Sequence, residues 1–202
     1  MGLITKNQLE ILNLFRKNIF LSETIRAIAK ITRKSYPKIH QAIKELNKRN
    51  VIKIKKVGNS NVCELNLSNE AVSYFSLLDE QEAFSQKIPH IEKILEFKEF
   101  LDDIILVTGS YAGHRQTSKS DIDLVIITKE NAFRKQKLID NLTKLFIPRI
   151  HPITITYKDF IEMLLEKKEN FGKEIFKKKL LFRNPSRYYK LIAQAIENGF
   201  RN

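Results

Sequence analysis

Gly109-Ser110 is followed, after ten residues, by Asp121-Ile122-Asp123. Each part suits a separate chemical task. A Gly-Ser turn offers backbone N–H groups and a hydroxyl to a phosphate. In Asp-X-Asp on an extended strand, alternation turns both carboxylates to one face. Two hard oxygen ligands aimed at a phosphate-binding turn suit Mg²⁺, which binds through one or two carboxylates together with phosphate oxygens.

Such groups need rigid elements to hold them. The run Ile104-Ile105-Leu106-Val107 reads as a buried strand that Gly109 ends, and Leu124-Val125-Ile126-Ile127 reads as a second. The pattern predicts strand 103–108, a helix after Gly109-Ser110, strand 121–128 and helix 131–146. Strand 152–156, helix 158–168 and a tail over 171–189 follow. In the tail, Lys177-Lys178-Lys179 reads as a solvated turn, and Tyr188-Tyr189 as a half-buried helical pair.

The stretch from Val107 to Ile127, with Gly109-Ser110 and Ser120-Asp121-Ile122-Asp123-Leu124 at fixed separation, resembles the signature of the polymerase-β-type nucleotidyltransferase superfamily. It is most similar to the minimal nucleotidyltransferases. The resemblance implies transfer of a nucleoside monophosphate from an NTP to an acceptor hydroxyl, with release of pyrophosphate. It implies that Asp121 and Asp123 are catalytic and hold Mg²⁺ or Mn²⁺. Gly109 and Ser110 would cradle the β- and γ-phosphates, and Arg115 and Lys119 would steer the triphosphate. Two features depart from the family pattern. Gly113 comes one place early, leaving His114 where a glycine is expected. The family's third carboxylate lies on a later strand, here the segment Pro152–Thr156, where alternation offers Thr154 or Thr156 and Thr154 is the preferred match. A Thr hydroxyl cannot replace a carboxylate as a base at neutral pH, so weak or silent chemistry is expected. Asp159 lies past that strand, at the start of a helix.

The N-terminal segment has a different character. Residues 1–68 hold 14 basic and 4 acidic residues, while 69–202 hold 22 and 19, within a chain of net charge +13. Positive charge gathered at one end points to a polyanion, most simply nucleic acid. Thr5-Lys6-Asn7-Gln8 is a capping box, followed by the apolar stripe Leu9, Leu12 and Phe15, with Ile11 and Leu14 beside it. A second short helix is expected after Ser22, facing inward with Ile25, Ile28 and Ala29. A third has Pro37 in its first turn and buries Ile39, Ala42, Ile43 and Leu46. Its outer face carries Tyr36, Lys38, Gln41, Lys44 and Lys48. The period then changes to two: Val51–Val57, a turn at Gly58-Asn59-Ser60-Asn61, and Val62–Leu67 form a hairpin bearing Lys53 and Lys55. Three helices and a basic hairpin resemble the winged helix-turn-helix family. That resemblance implies duplex DNA as partner, with the third helix in the major groove and the wing along the backbone or minor groove.

The reading is therefore an α+β protein. A winged helix spans 1–68, connecting helices 69–100, and a nucleotidyltransferase-like mixed sheet flanked by helices 101–202. One alternative is a regulator whose second domain has lost chemistry and senses a nucleotide. Another is a protein-nucleotidylating antitoxin with a protein acceptor. The single Cys63 excludes an internal disulfide and any Cys-based zinc site. The four histidines, at 40, 90, 114 and 151, lack metal spacing. No run approaches the ~20 apolar residues of a membrane span, and no signal-peptide pattern is seen, so a cytoplasmic location without membrane association is expected. Homo-oligomerisation is left open.

Overall fold

A computed structural model describes residues 4–118 and 120–201. The chain divides into two compact units. One runs to Leu78 and includes Arg201; the other is Asp79–Phe200.

The first unit opens with α1 (Lys6–Lys17), held at its start by the expected capping box. The Thr5 N–H donates to Gln8 Oε1 at 2.8 Å, and the Gln8 N–H donates back to Thr5 Oγ1 at 3.3 Å. The helix buries Ile11, Leu12 and Phe15. The sequence reading missed the next element: Ser22–Thr24 is a short strand, β1. Helix α2 (Ile25–Ile31) therefore starts later than expected, capped by Thr24, whose hydroxyl accepts from the Ala27 N–H at 3.1 Å. Helix α3 (Tyr36–Lys48) buries Ile39, Ala42, Ile43 and Leu46, as its periodicity predicts. Strands β2 (Ile52–Val57) and β3 (Ser60–Leu65) form the hairpin. Its turn is tighter than expected: Ser60 already pairs with Val57, and Gly58 supplies the positive φ of +57°. β1 joins β3 on the other side, giving sheet order β1-β3-β2. The order α1-β1-α2-α3-β2-β3 is that of a winged helix. Helix α4 (Asn69–Ser85) follows, and within the first unit its Glu70 and Tyr74 both receive Arg49.

In the second unit, α5 (Ile91–Leu95) leads to β4 (Ile104–Thr108), the four-residue helix α6 (Gly109–Ala112) and β5 (Ile122–Thr128). Then come α7 (Ala132–Thr143), β6 (Ile150–Thr156), α8 (Tyr157–Leu165) and α9 (Phe171–Lys177). Strand β7 (Leu180–Arg183) and α10 (Pro185–Glu197) complete it. Strand β7 lies within the expected tail over 171–189. The sheet order is β6-β5-β4-β7, with β5 and β6 parallel and the other pairs antiparallel. Apart from Thr108, Asp123 and Thr128, β4 and β5 are apolar on both faces because both faces are covered. Ile105, Val107, Leu124 and Ile126 join Ile139 of α7 in one core cluster, while α8 and α10 pack on the other face. Tyr188 and Tyr189 of α10 are fully buried, the latter donating to Asp79 at 2.6 Å, so neither presents a ring for base stacking. Among the described residues no helix is long and apolar enough to cross a membrane.

Candidate functional site

Strand register assembles the site. Thr108 of β4 pairs with Asp123 of β5, and Asp123 pairs with His151 of β6. Laterally paired residues share a face of a sheet, so Thr108, Asp123 and His151 form one row across three strands. Asp121 lies just ahead of β5, and its Oδ2 is 3.3 Å from His151 Nε2. Burial raises the Asp123 carboxyl above its ordinary pKa. His151 pulls it back down, and Asp121 pushes it further up. Such a site favours an added cation, because the charged form of Asp123 is penalised without one.

Gly109 ends β4 against this row. Its φ is +67°, and a Cβ there would collide with the Asp123 carboxylate. Glycine is thus required twice, for the left-handed backbone and for the carboxylate seated against it. The irregularity seen in the sequence at 113–114 also resolves. Gly113 has an ordinary backbone, with φ −90°. It is His114, at φ +52°, that takes the left-handed conformation a glycine would adopt freely. The Arg115 N–H closes the turn on the Ser110 carbonyl at 2.9 Å.

The choice of Thr154 for the third acidic position is corrected by the register. Thr154 pairs with Ile126 and so lies on the face opposite Asp123. Its N–H donates to Gln136 of α7 at 2.6 Å, and its hydroxyl is buried without a partner. The residue beside Asp123 on β6 is His151, which the sequence reading set aside as a scattered histidine. Its signal was faint: β6 starts two residues earlier than expected and contains Pro152. Asp159 serves as the N3 partner of a capping box with Thr156, 2.6 Å from the Thr156 hydroxyl. Those hydrogen bonds hold its carboxyl below the ordinary pKa.

A cleft of about 600 Å³ adjoins the turn, lined by Thr108, Gly109, Ser110, Arg115, Glu174, Lys177 and Lys178. It contains the expected phosphate-binding residues Gly109, Ser110 and Arg115. Lys119 lies outside the described residues. Lys177 and Lys178, expected to be solvated, border the cleft from the end of α9.

In the first unit Tyr36, Lys38, Gln41, Lys44 and Lys48 all lie on the exposed side of α3. Tyr36 stacks on His40 at 5.7 Å, an i,i+4 pairing the sequence reading did not single out. Two of the expected cations are already engaged. Lys48 pairs with Glu45 at 3.0 Å, and Lys55 with Glu64 at 2.5 Å. The Lys55 hydrogen bond holds the Glu64 carboxyl below its ordinary pKa. Lys53 stands opposite Glu64 in the hairpin.

No curated protein matches the chain in sequence. Among solved structures, the chain is similar to the homodimeric winged helix-turn-helix DNA-binding domain Mb0332 from Mycobacterium bovis, described as a possible ArsR-family transcriptional regulator. That match has 16% identity and a TM-score of 0.33, covering 43% of this chain and 74% of that one. It is also similar to MepR, a transcription regulator of the Staphylococcus aureus multidrug efflux pump MepA. Here identity is 18% and the TM-score 0.34, with 46% of this chain and 73% of that one covered. The family model described as "Nucleotidyltransferase domain" matches residues 88–188, half of the chain, and spans the whole Thr108–Asp123–His151 row. The chain therefore belongs to the nucleotidyltransferase domain family, and it carries that domain behind a winged helix.

Proposed function

We propose that the protein binds duplex DNA through its winged helix and a metal–nucleoside triphosphate through its second unit, where it transfers a nucleotidyl group to a hydroxyl. The observation that carries the second half is the seating of Asp123 against Gly109, with Asp121 and His151 alongside. Two carboxylates suit Mg²⁺ or Mn²⁺. Among the described residues no group of three or more His, Cys, Asp or Glu side chains makes a metal cage. The pair accordingly needs phosphate oxygens to complete the ligand set, as Mg²⁺ sites at nucleotides commonly do. When bound, the metal would neutralise charge developing on the triphosphate. Asp121 and Asp123 would hold it, Gly109 and Ser110 would orient the phosphates, and Arg115 would add positive charge beside them. In the reaction the acceptor oxygen bonds to the α-phosphorus as the bond to the β-phosphate breaks and pyrophosphate leaves. The acceptor proton passes to water or to His151, the imidazole standing beside Asp123.

For DNA, the supporting observation is the exposed face of α3 with Tyr36, Lys38, Gln41 and Lys44, in a segment of strong positive charge. The second reading is a DNA-binding regulator that senses a nucleotide without turning it over. His151 in place of a third carboxylate favours it.

One experiment separates these. The protein is incubated with each α-labelled NTP, Mg²⁺ or Mn²⁺, and a cell lysate, beside an Asp121→Ala/Asp123→Ala variant. Transfer of label that the variant lacks supports the enzyme. Metal-dependent binding without transfer supports the sensor, and no metal-dependent binding of any NTP removes both.

A further inference from the structure

We infer that Lys177 and Lys178, at the end of α9, form the outer wall of a polyphosphate channel that receives the β- and γ-phosphates of a nucleotide. The inference rests on the proposed nucleotide site at Gly109-Ser110 and extends it to residues far away in sequence. Three cationic residues, Arg115, Lys177 and Lys178, line the cleft with one acid, Glu174, while a second acid, Glu169, is paired with Lys177. Among the described residues, the side chains of Arg115 and Lys178 have no hydrogen-bond or ion-pair partner. That sets them apart from Lys48, Lys55, Lys135 and Arg187, each paired with an acid.

The wall is built rather than loose. Val107 pairs with Leu180, so one more step of that antiparallel register brings residues 178–179 beside the end of β4. Thr108, itself in the row with Asp123, donates its hydroxyl to the Lys178 carbonyl at 2.8 Å. The Lys178 N–H donates to the Glu174 carbonyl at 2.9 Å. The backbone of Lys178 is thereby tied both to the strand carrying the phosphate turn and to α9. Lys177 is positioned by Glu169, whose two carboxylate oxygens each accept from its Nζ at 2.8 Å. An ammonium has three donors, so a phosphate oxygen can be added to that arrangement. A cleft floored by the Gly109-Ser110 turn and bordered by these lysines suits a ligand whose charge grows with each phosphate.

The test uses the full chain with Mg²⁺ and calorimetric titration of inorganic tripolyphosphate, ATP and AMP. Lys177→Gln/Lys178→Gln should weaken tripolyphosphate and ATP by about tenfold per lysine, one charge-assisted hydrogen bond each. AMP should change by less than about threefold on the same scale. Lys177→Arg/Lys178→Arg should hold most of the affinity, which separates charge from misfolding. Equal losses for AMP and ATP would overturn the inference. So would unchanged binding by the Gln variant while Asp121→Asn/Asp123→Asn abolishes it, a result that leaves the nucleotide site standing. Wild type that binds neither tripolyphosphate nor any NTP would bring down both.

Discussion

Replacing Gly109 with Ala separates two costs that coincide at one atom. The backbone there has φ +67°, and an L-residue in that region costs about 1–2 kcal/mol. The added Cβ also meets the Asp123 carboxylate, which must move. Overpacking of that kind costs about 1–3 kcal/mol more. Gly109→Ala should therefore lose about 2–5 kcal/mol by denaturant titration of the full chain. At roughly 3–6 °C per kcal/mol for a unit of this size, the melting shift is easily read. Asp123→Ala removes the atoms in conflict and leaves only the Asp123 Cβ, at ordinary contact distance of 3.4 Å. In that background Gly109→Ala should cost only its backbone share, about 1–2 kcal/mol. Gly58 provides a second control, with φ +57° and open space where a Cβ would go. Gly58→Ala should match the backbone share alone. A Gly109→Ala penalty that is the same with and without the Asp123 carboxylate would refute the reasoning, since the coupling between contacting residues would be zero.

Three further outcomes are expected. The Asp123 carboxyl has a folded-state pKa above its unfolded value, so without metal the fold loses stability as pH rises through that raised value, and the loss persists at neutral pH. Asp123→Asn should therefore raise the melting temperature near neutrality and leave it unchanged below the carboxylate range; equal shifts in both ranges would contradict this. Lys38→Ala/Lys44→Ala should flatten the slope of log affinity for duplex DNA against log salt by about 0.9 per lost phosphate contact. An unchanged slope in filter-binding or anisotropy titrations would show that neither lysine touches phosphate. Thr154→Val should stabilise by about 1 kcal/mol, because its hydroxyl is buried unpaired. Thr154→Asp should not strengthen Mg²⁺-dependent nucleotide binding, whereas His151→Asp should, and calorimetry on both variants decides between the two faces of β6.

What the sequence discloses depends on how local the signal is. The buried stripe of α3 and the capping box of α1 are written within a few residues of themselves, and they fold as read. The strand, Gly-Ser and Asp-X-Asp arrangement is likewise contained in 24 consecutive residues, 104–127. The third strand is different. Its alternation of Ile and Thr is plain, but a period of two leaves the phase open, and a slip of one residue exchanges the faces. By polarity alone, Thr154 is the natural site-facing residue. The parallel register with β5 instead turns Ile153 and His151 to that side and puts Thr154 opposite. β7 escaped for another reason. Four residues, Leu180–Arg183, ahead of Pro185 carry no periodic pattern of their own and become a strand only by pairing with β4. The residues at 177–178 could not be associated with the site without that pairing.

The late return of β7 to β4 also sets an order of events during synthesis. All helices and strands of the winged helix, from α1 to β3, lie within the first 65 residues, before the second sheet is begun. β4 must then wait for a partner about 75 residues further on. At the usual 5–20 residues per second, the interval from Thr108 to Arg183 is roughly 4–15 s. For that time one edge of a strand that is apolar from Ile104 to Val107 is unpaired, the condition in which nascent chains associate wrongly. A ribosome stalled between these points would display a finished winged helix followed by an unfinished second sheet.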